Sequence, residues 1–467
     1  MSFQEKSLRL LMKFVRFNFG EFEINEFCKF LKMGFIFTII IGIYWTLRPL
    51  KDSLFMQLVD KVYLPYAKTV SLLIIIPLVI FYTKFLGHIS REKMLILLTT
   101  YYGFLTLVFS IAMLITQAPP EDIAARPLLL WTGTKVLGYV WYVYVESFGS
   151  LLIPLFWVFA TDTTKTLSAK KGFPFIVALG QIGGIIFPFS IGGLPYHFSL
   201  PNDSLSIAIL GLLTFTIIPL IRNFLRTVPK HLLLSFEEKK ESFGSIVNPG
   251  FLEGVRLVKK HKYLLGILSI NLIYGTILTI IDFNFKFRVG SVYEGVALTH
   301  YLSLYGSSIN IVTFLCLILG ITKITNFFGI RSVLILIPCV VGGILFGFLT
   351  LESLHILFAF VVGLRGINYA LNGPTIKQLY IPITKNSRYK AEAWIESFGS
   401  RGAKEAGSLF NMLLRPLQSA YGAALGHEIY LTLVGGIGIS LLVLWEINAV
   451  YIGKRFQKAL FRKETIC

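Results

Sequence analysis

Residues 33–56 read Met33-Gly34-Phe35-Ile36-Phe37-Thr38-Ile39-Ile40-Ile41-Gly42-Ile43-Tyr44-Trp45-Thr46-Leu47-Arg48-Pro49-Leu50-Lys51-Asp52-Ser53-Leu54-Phe55-Met56. From Met33 to Leu47 no side chain is charged, and then Arg48, Lys51 and Asp52 arrive before the apolar run ends. About 20 apolar residues at a rise of 1.5 Å each reach across the hydrocarbon of a bilayer. Working outward, comparable runs lie near 66–87, 94–117, 127–162, 172–194 and 205–225, and again near 264–284, 297–320, 330–350, 353–373, 398–418 and 428–453. Composition agrees: 55% of the 467 residues are apolar, 15% are charged and the mean hydropathy is +0.70. Water-soluble domains carry about 25% charged residues. Because hydrocarbon offers no hydrogen bonds, a spanning chain must satisfy its backbone internally as helices or as a closed barrel. These runs are too long for strands. The sequence therefore predicts an all-α membrane protein with about 12 transmembrane helices.

A polar stretch from Arg222 to Lys262, containing Glu237-Glu238-Lys239-Lys240-Glu241, splits the runs into two sets of six. The expected organisation is a cytoplasmic segment at 1–32, a six-helix half at 33–225, a cytoplasmic linker at 226–262, a second six-helix half at 263–453 and a cytoplasmic tail at 454–467. Two halves of six suggest an internal duplication and a major-facilitator-like architecture, with substrate held near the midplane between the halves. One pentapeptide recurs, Glu146-Ser147-Phe148-Gly149-Ser150 and Glu396-Ser397-Phe398-Gly399-Ser400. It falls in the fourth run of one half and at the start of the eleventh run, so the two copies do not occupy equivalent positions.

Charge sets the orientation, since Lys and Arg are retained on the cytoplasmic side of short loops. Lys6, Arg9, Lys13, Arg16, Lys29 and Lys32 precede the first run; Lys84, Arg91 and Lys93 follow the second; Lys165, Lys170 and Lys171 follow the fourth. The loops at 117–126, 193–204 and 350–355 hold Arg126 and no other Lys or Arg, whereas the tail carries Lys454, Arg455, Lys458, Arg462 and Lys463. Both termini are expected in the cytoplasm of a bacterial cell, at the inner membrane. The net charge of +19 then fits contact with anionic lipid headgroups better than with nucleic acid, and no nucleic-acid or obligate protein partner is inferred. No small-residue cleavage site follows a short apolar region near the start, so a removable signal is not expected. Cys28, Cys316, Cys339 and Cys467 show no paired spacing, and the seven histidines lack ligand-pair spacing. Neither a metal nor a cofactor is expected.

Charges inside the apolar runs are the informative ones, because an ionised side chain at mid-bilayer costs about 2.5–3.5 kcal/mol on insertion scales. They are Arg48, Lys51 and Asp52; Lys135 and Glu146; Asp282 with Lys286 and Arg288; Arg365; and Glu396, Arg401, Lys404 and Glu405. Eight are cations and five are carboxylates, so mutual pairing leaves a positive remainder suited to an anion. Guanidinium and ammonium groups recognise phosphate by charge-assisted hydrogen bonds, Arg as a fork and Lys as a movable point charge. Lys286 and Arg288 are expected to snorkel to the outer interface, as is Lys135 near the start of its run. Arg401 and Glu405 at i, i+4 suit an ion pair, while Arg401 and Lys404 at i, i+3 suit a shared site. Glu146 suits a proton-linked carboxylate, an inter-helix brace or, the preferred reading, a partner for a substrate-site cation such as Lys51. Tyr44, Trp45, Trp141, Tyr142, Tyr144 and Tyr369 lie in the same segments, where a ring can stack on a base, though packing accounts for most of them.

These residues carry a resemblance. Leu47-Arg48-Pro49-Leu50-Lys51-Asp52-Ser53-Leu54 is similar to the Arg-x-x-Lys-Asp-[Ser/Thr]-Leu signature of the ATP/ADP translocase family of obligate intracellular bacteria and plastids. The segment from Tyr369 through Asn372-Gly373-Pro374-Thr375-Ile376-Lys377 to Ile381-Pro382-Ile383 resembles that family's Tyr-Ser-Leu-Phe-Asp-Pro-Thr-Lys-Glu-Met-Ala-Tyr-Ile-Pro-Leu, and Ile395 to Lys404 resembles its Ile-Asp-Val-Val-Gly-Ser-Arg-Leu-Gly-Lys. Glu146 to Ser150 resembles its Glu-x-x-Gly-Ser. The resemblance implies exchange of ATP for ADP by alternating access. It places Lys51, Glu146 and Lys404 on charged positions that the family needs, with Arg48, Asp52 and Arg401 also coinciding and Asp282 standing where the family commonly has Glu. Tyr142, Arg365, Tyr369 and Glu405 form a second tier of candidates read from the residues themselves. Departures at Gly373, Ile376, Lys377 and Glu405 remove one carboxylate and add another, which bears on the exact cargo. No Gly-x-x-x-x-Gly-Lys-[Ser/Thr] loop is present for nucleotide hydrolysis. Alternative expectations are proton-coupled net import of nucleotides or of another phosphorylated metabolite such as NAD, and, from a different class, a membrane enzyme acting on lipid-linked substrates.

Overall fold

The computed structural model of the chain describes residues 20–86, 89–116, 128–164, 166–229, 251–318, 328–462 and 464–466. The charge readings at Lys6, Arg9, Lys13, Arg16, Arg126, Lys165, Lys463 and 237–241 lie outside the described residues, as does Cys467. Among the described residues there is no strand. The helices are α1 (Ile24–Leu58), α2 (Leu64–Leu86), α3 (Arg91–Thr116), α4 (Leu128–Asp162), α5 (Thr166–Phe187), α6 (Ser204–Thr227), α7 (Phe251–Lys260), α8 (Lys262–Val292), α9 (Gly295–Ile318), α10 (Ile330–Thr350), α11 (Leu354–Ile367), α12 (Gly373–Leu379), α13 (Lys385–Trp394), α14 (Ser400–Met412), α15 (Leu414–Tyr421) and α16 (Ala423–Arg462). Ten described helical segments are long and apolar enough to cross a membrane. The other two expected spans, 353–373 and 398–418, fall in interrupted helices. A π turn at Asn368–Asn372 separates α11 from α12, and another at Ile395–Gly399 separates α13 from α14.

The chain folds as two compact units, Met1–Val59 with Val70–Ser245 and Tyr293–Phe314, and Asp60–Thr69 with Ile246–Val292 and Leu315–Cys467. In the first unit α1 packs on α5 and α4, and α3 packs on α6. Why these apolar helices sort themselves is visible on α3, where Leu97, Tyr101, Phe104, Val108 and Ile111 form an exposed apolar stripe. The opposite face, with Leu95, Thr99, Tyr102, Thr106, Phe109 and Met113, is buried. Water would demand the reverse arrangement of polarity; lipid tails do not. Buried hydroxyls are satisfied within their own helix, as where Thr46 donates to the Gly42 carbonyl at 2.8 Å and Thr99 to Leu95 at 2.7 Å.

Small residues set the tightest helix approach. Thr38 of α1 donates to the Leu179 carbonyl of α5 at 2.9 Å, and a Cβ added at Gly183 would overlap the Thr38 carbonyl oxygen. With no hydrophobic drive between helices in lipid, such backbone approach is the main source of packing energy. At the end of α4 the buried Lys29 ammonium donates to the Thr163 carbonyl, so a cation closes a helix C-terminus whose carbonyls would otherwise go unsatisfied.

The loop before α6 holds a fully buried carboxyl, Asp203, which accepts from the Thr299 hydroxyl of α9 at 2.7 Å. Thr299 in turn shares a 2.6 Å hydrogen bond with Ser53 of α1, and the Gln57 amide donates to Ser53 at 2.9 Å. Because Thr299 spends its proton on Asp203, Ser53 is the donor in that pair. Burial pushes the Asp203 carboxyl up from its ordinary 3.8 to about 7, against hydrogen bonds from Thr299 and Gln57 that pull it down. The folded state therefore holds this proton more tightly than the unfolded chain does. Its contribution is complete below the unfolded value and is lost as pH rises through the folded one, at most about 4 kcal/mol. Thermal unfolding of the full chain in detergent is expected at lower temperature at pH 8.5 than at pH 5.5, with Asp203→Asn flattening that dependence. Parallel pH curves for the two proteins would exclude Asp203 as the cause.

In the second unit α8 packs on α14, α16 and α11, and α10 packs on α16. A buried polar chain ties three of these helices: Asn284 donates to the Tyr430 hydroxyl at 3.1 Å, Tyr430 to Asn411 at 2.8 Å, and Asn411 to the Thr279 carbonyl at 3.3 Å. Each amide or hydroxyl meets a partner, which an apolar surrounding requires. The expected seventh span, 264–284, is longer in the structure, since α8 continues to Val292. That extension corrects one reading. Lys286 does not snorkel outward; it is buried and pairs with Asp282, one turn earlier on the same helix, at 2.6 Å. Arg288, half-exposed, donates to the Leu351 carbonyl at 2.9 Å and the Phe348 carbonyl at 3.4 Å, closing the end of α10.

Candidate functional site

Each unit contains a cluster of charge on its central helix. In the first, α1 carries Arg48, Lys51 and Asp52, spaced so that Arg48 and Lys51 lie three apart on neighbouring turns. Helix α4 presents Tyr142 and Glu146 at i, i+4, the spacing that stacks side chains along one helix face. Both reach Lys51. Its ammonium pairs with Glu146, lies 3.6 Å from Asp52 and sits 4.2 Å from the centre of the Tyr142 ring. Lys51 and Asp52 are buried, whereas the Glu146 side chain is 39% exposed. Of the readings open for Glu146, the structure places it against Lys51. Arg48 lies over the rings of Trp45 at 4.8 Å and Tyr44 at 5.7 Å.

The expectation that the aromatics offer faces for stacking divides accordingly. Trp141 stacks on Tyr144 at 5.6 Å and 25°, and both pack on Phe109. These rings, with Tyr142, are buried core residues, and packing is what they do here. Tyr44 and Trp45 are partly exposed beside Arg48, and Tyr369 is 44% exposed in the π turn after α11.

In the second unit the centre is Asp282 of α8. One carboxylate oxygen accepts from Lys286 at 2.6 Å and the other from Arg365 of α11 at 3.1 Å, and Lys68 of α2 lies within electrostatic reach of the same group. Asp282 is 3% exposed. Sequence reasoning selects Asp282 and Arg365 but misses Lys68 and misjudges Lys286. The i, i+4 spacing of Asp282 and Lys286 is the signal available, since adjacent turns bring such a pair together.

Arg401, Lys404 and Glu405 stand on α14. The i, i+4 ion pair between Arg401 and Glu405 is absent among the described residues, because Glu405 instead accepts from the Thr69 hydroxyl of α2 at 2.6 Å. Lys404 is exposed and Arg401 partly so. Lys377 of α12, a departure from the family pattern, pairs with Glu396 and, at 2.7 Å, with Glu392. Glu396 is thus held by Lys377 in the second unit as Glu146 is by Lys51 in the first. The recurrent pentapeptide also places its glycines alike: a Cβ at Gly149 would overlap Tyr44 of α1, and one at Gly399 would stand 2.8 Å from Leu268 of α8.

Two groups of relatives bear on this arrangement. The chain is 22% identical to "ADP,ATP carrier protein 1" of Rickettsia typhi, with 95% of this chain and 96% of that protein covered. It is 23% identical to "ADP,ATP carrier protein 3" of Rickettsia prowazekii, with 93% and 96% covered. Among solved structures, it superposes on a bacterial homologue of the iron transporter ferroportin in its inward-facing state with a TM-score of 0.61, 12% identity and coverage of 91% and 98%. The nucleoside transporter NupG gives 0.57 at 15% identity, covering 90% and 98%. These likenesses establish the major-facilitator-like helical fold of a multi-pass membrane protein. A family model described as TLC ATP/ADP transporter matches residues 5–456, and the chain belongs to that family.

Proposed function

We propose that the protein is a secondary transporter, not an enzyme, that exchanges nucleotides, ATP for ADP, by alternating access. The observation that carries this reading is the presence of the buried Lys51 and Lys286 and the partly buried Arg365 on the apolar helices of a chain whose matched relatives are ADP,ATP carriers. An ammonium or guanidinium inside such helices is costly unless an anion meets it. Carboxylates meet these cations in this structure; phosphate oxygens are chemically equivalent acceptors for them. In this reading the substrate-binding residues are Arg48, Lys51 and Glu146 in the first unit and Asp282, Arg401 and Lys404 in the second, with Asp52 and Tyr142, and Arg365, Tyr369 and Glu405, as a second tier in each. The bacterial inner membrane, cytoplasmic termini and anionic lipid at the exposed Lys454, Arg455, Lys458 and Arg462 of the tail complete the proposal.

Exchange follows if reorienting an empty positive site is slow and a bound anion speeds it. Radiolabelled ATP is expected to enter proteoliposomes loaded with ADP and to enter empty ones roughly tenfold or more slowly, a difference of about 1.4 kcal/mol in barrier. Equal uptake into both would replace exchange by net import. A folded protein that moves no nucleotide would overturn the nucleotide reading itself.

A further inference from the structure

Three glycines in and just after α5 meet one face of α9. A Cβ added at Gly184 would overlap the Asn310 side chain, one at Gly192 the Ser303 hydroxyl, and one at Gly193 would stand 2.8 Å from Nδ1 of His300. In the same seam the Ser307 hydroxyl donates to the Ile185 carbonyl at 2.9 Å. His300, Ser303, Ser307 and Asn310 recur every three or four residues, so a single stripe of α9 lies along α5. By sequence α9 belongs to the second set of six runs, yet it groups with the first unit.

The seam ends in two imidazoles. His197 closes the short helix Leu194–His197, which follows the π turn at Pro188–Gly192. Its ring centre lies 4.8 Å from that of His300, with the planes at 75°. The Cβ position at Gly193 is 3.3 Å from Nε2 of His197 and 2.8 Å from Nδ1 of His300, so the two nitrogens converge on one small space above a residue with no side chain. Tyr196 stacks on His300 at 4.5 Å and 3°, which fixes the plane of that ring. Nδ1 of His300 is buried and meets no hydrogen-bond partner among the described residues, a state that buried polar atoms seldom keep. His197 is exposed, which leaves one wall of the space open to an entering ion.

We propose that His197 and His300 form a site for a divalent transition-metal ion of the zinc class and, resting on the transport reading above, that the bound ion clamps α9 to the end of α5 and slows exchange. Imidazole nitrogen is a ligand that zinc, nickel and copper favour, whereas magnesium favours oxygen. Two nitrogens on one tetrahedral zinc stand about 3.3 Å apart, and the exposed ring of His197 is free to turn to that spacing while the stacked His300 stays in place. No group of three or more His, Cys, Asp or Glu is gathered among the described residues, so water completes the shell. Such a site is open and reversible, weaker than a structural zinc site with four protein ligands. Rocking of one set of helices against the other needs α9 to shift along α5, and a link from His197 to His300 opposes that shift. Sequence spacing conceals the pair, since the two histidines flank different apolar runs.

The test adds zinc chloride to the full chain, first in detergent and then in proteoliposomes. Zinc is expected to raise the melting temperature, as a ligand of the folded state does, and to slow exchange about fivefold or more; a chelator should reverse both effects, and magnesium should produce neither. Losing a mere supporting partner of a metal ligand costs about 10–100-fold in affinity, so His197→Asn and His300→Gln should each need at least about tenfold more zinc for the same response. Without metal both variants are expected to exchange nucleotide at the unmodified rate. His197 is exposed, so its variant carries the test if the substitution at His300 impairs folding. An equal zinc response in the unmodified protein and both variants overturns the inference, because zinc would then be acting on the nucleotide or elsewhere on the chain. A melting temperature that zinc leaves unmoved overturns it too, and a raised one with undiminished exchange overturns the clamp. A folded protein that moves no nucleotide overturns the transport reading, while the melting comparison still decides the metal site.

Discussion

Lys51→Ala is expected to abolish nucleotide exchange and to lower thermal stability at the same time. The ammonium it removes is buried between Asp52 at 3.6 Å, the Glu146 carboxylate and the Tyr142 ring at 4.2 Å. Its loss leaves Asp52, with a side chain 7% exposed, beside a second carboxylate without the cation that stood between them. Breaking a buried pair from one side costs about 3–5 kcal/mol, more than the pair itself contributes when intact. Glu146→Gln should be milder in stability, because that side chain is partly solvated and Asp52 still faces Lys51. Function separates from folding in the double variant Lys51→Met with Asp52→Asn, which removes both buried charges. It is expected to recover most of the melting temperature in detergent while exchange in proteoliposomes stays lost. Wild-type exchange by that double variant would show that Lys51 is there for the fold alone.

Gly183→Leu is expected to prevent recovery of folded protein. Adding even a Cβ drives into the Thr38 carbonyl oxygen, a backbone atom that cannot rotate aside, at the point where Thr38 also bonds the Leu179 carbonyl. Overpacking of a tight site by small increments costs about 1–3 kcal/mol. Gly183→Ala should therefore give a protein that folds with a lowered melting temperature, while leucine forces α1 and α5 apart along their whole contact. Size-exclusion profiles and melting curves of the two variants report this directly. An alanine variant that melts with the wild type would mean the crossing has slack.

Much of the fold is legible in residues 33–56 and their counterparts, because apolar length and the placement of Lys and Arg follow from the solvent alone. Lys51 and Glu146 are legible as partners because each is an expensive charge within an apolar run and each needs an opposite one. Lys286 misleads because an apolar run ends before its helix does: past Phe285 the sequence turns polar, yet α8 carries on to Val292 and keeps Lys286 inside. Glu405 illustrates another limit. Its i+4 relation to Arg401 is local, but the hydroxyl it accepts from is Thr69, far away in the chain. Lys68 escapes notice for the same reason. It stands in the first turns of α2, which group with the second unit, and no local pattern announces that α2 is shared in this way. The π turn at Asn368–Asn372 falls within the run read as 353–373, the one at Ile395–Gly399 overlaps only the start of the run read as 398–418, and neither has an apolar periodicity of its own to announce it.

The twice-used pentapeptide Glu-Ser-Phe-Gly-Ser has a consequence for how the chain's history is traced. In both copies the glutamate clasps a lysine, Lys51 or Lys377, and the glycine lets a neighbouring helix, α1 or α8, come close. Two sites with the same mechanical demand can arrive at the same five letters independently. The shared spelling therefore needs no common origin of the two segments to account for it, since a clasped lysine and a close neighbouring helix are demands that both sites make.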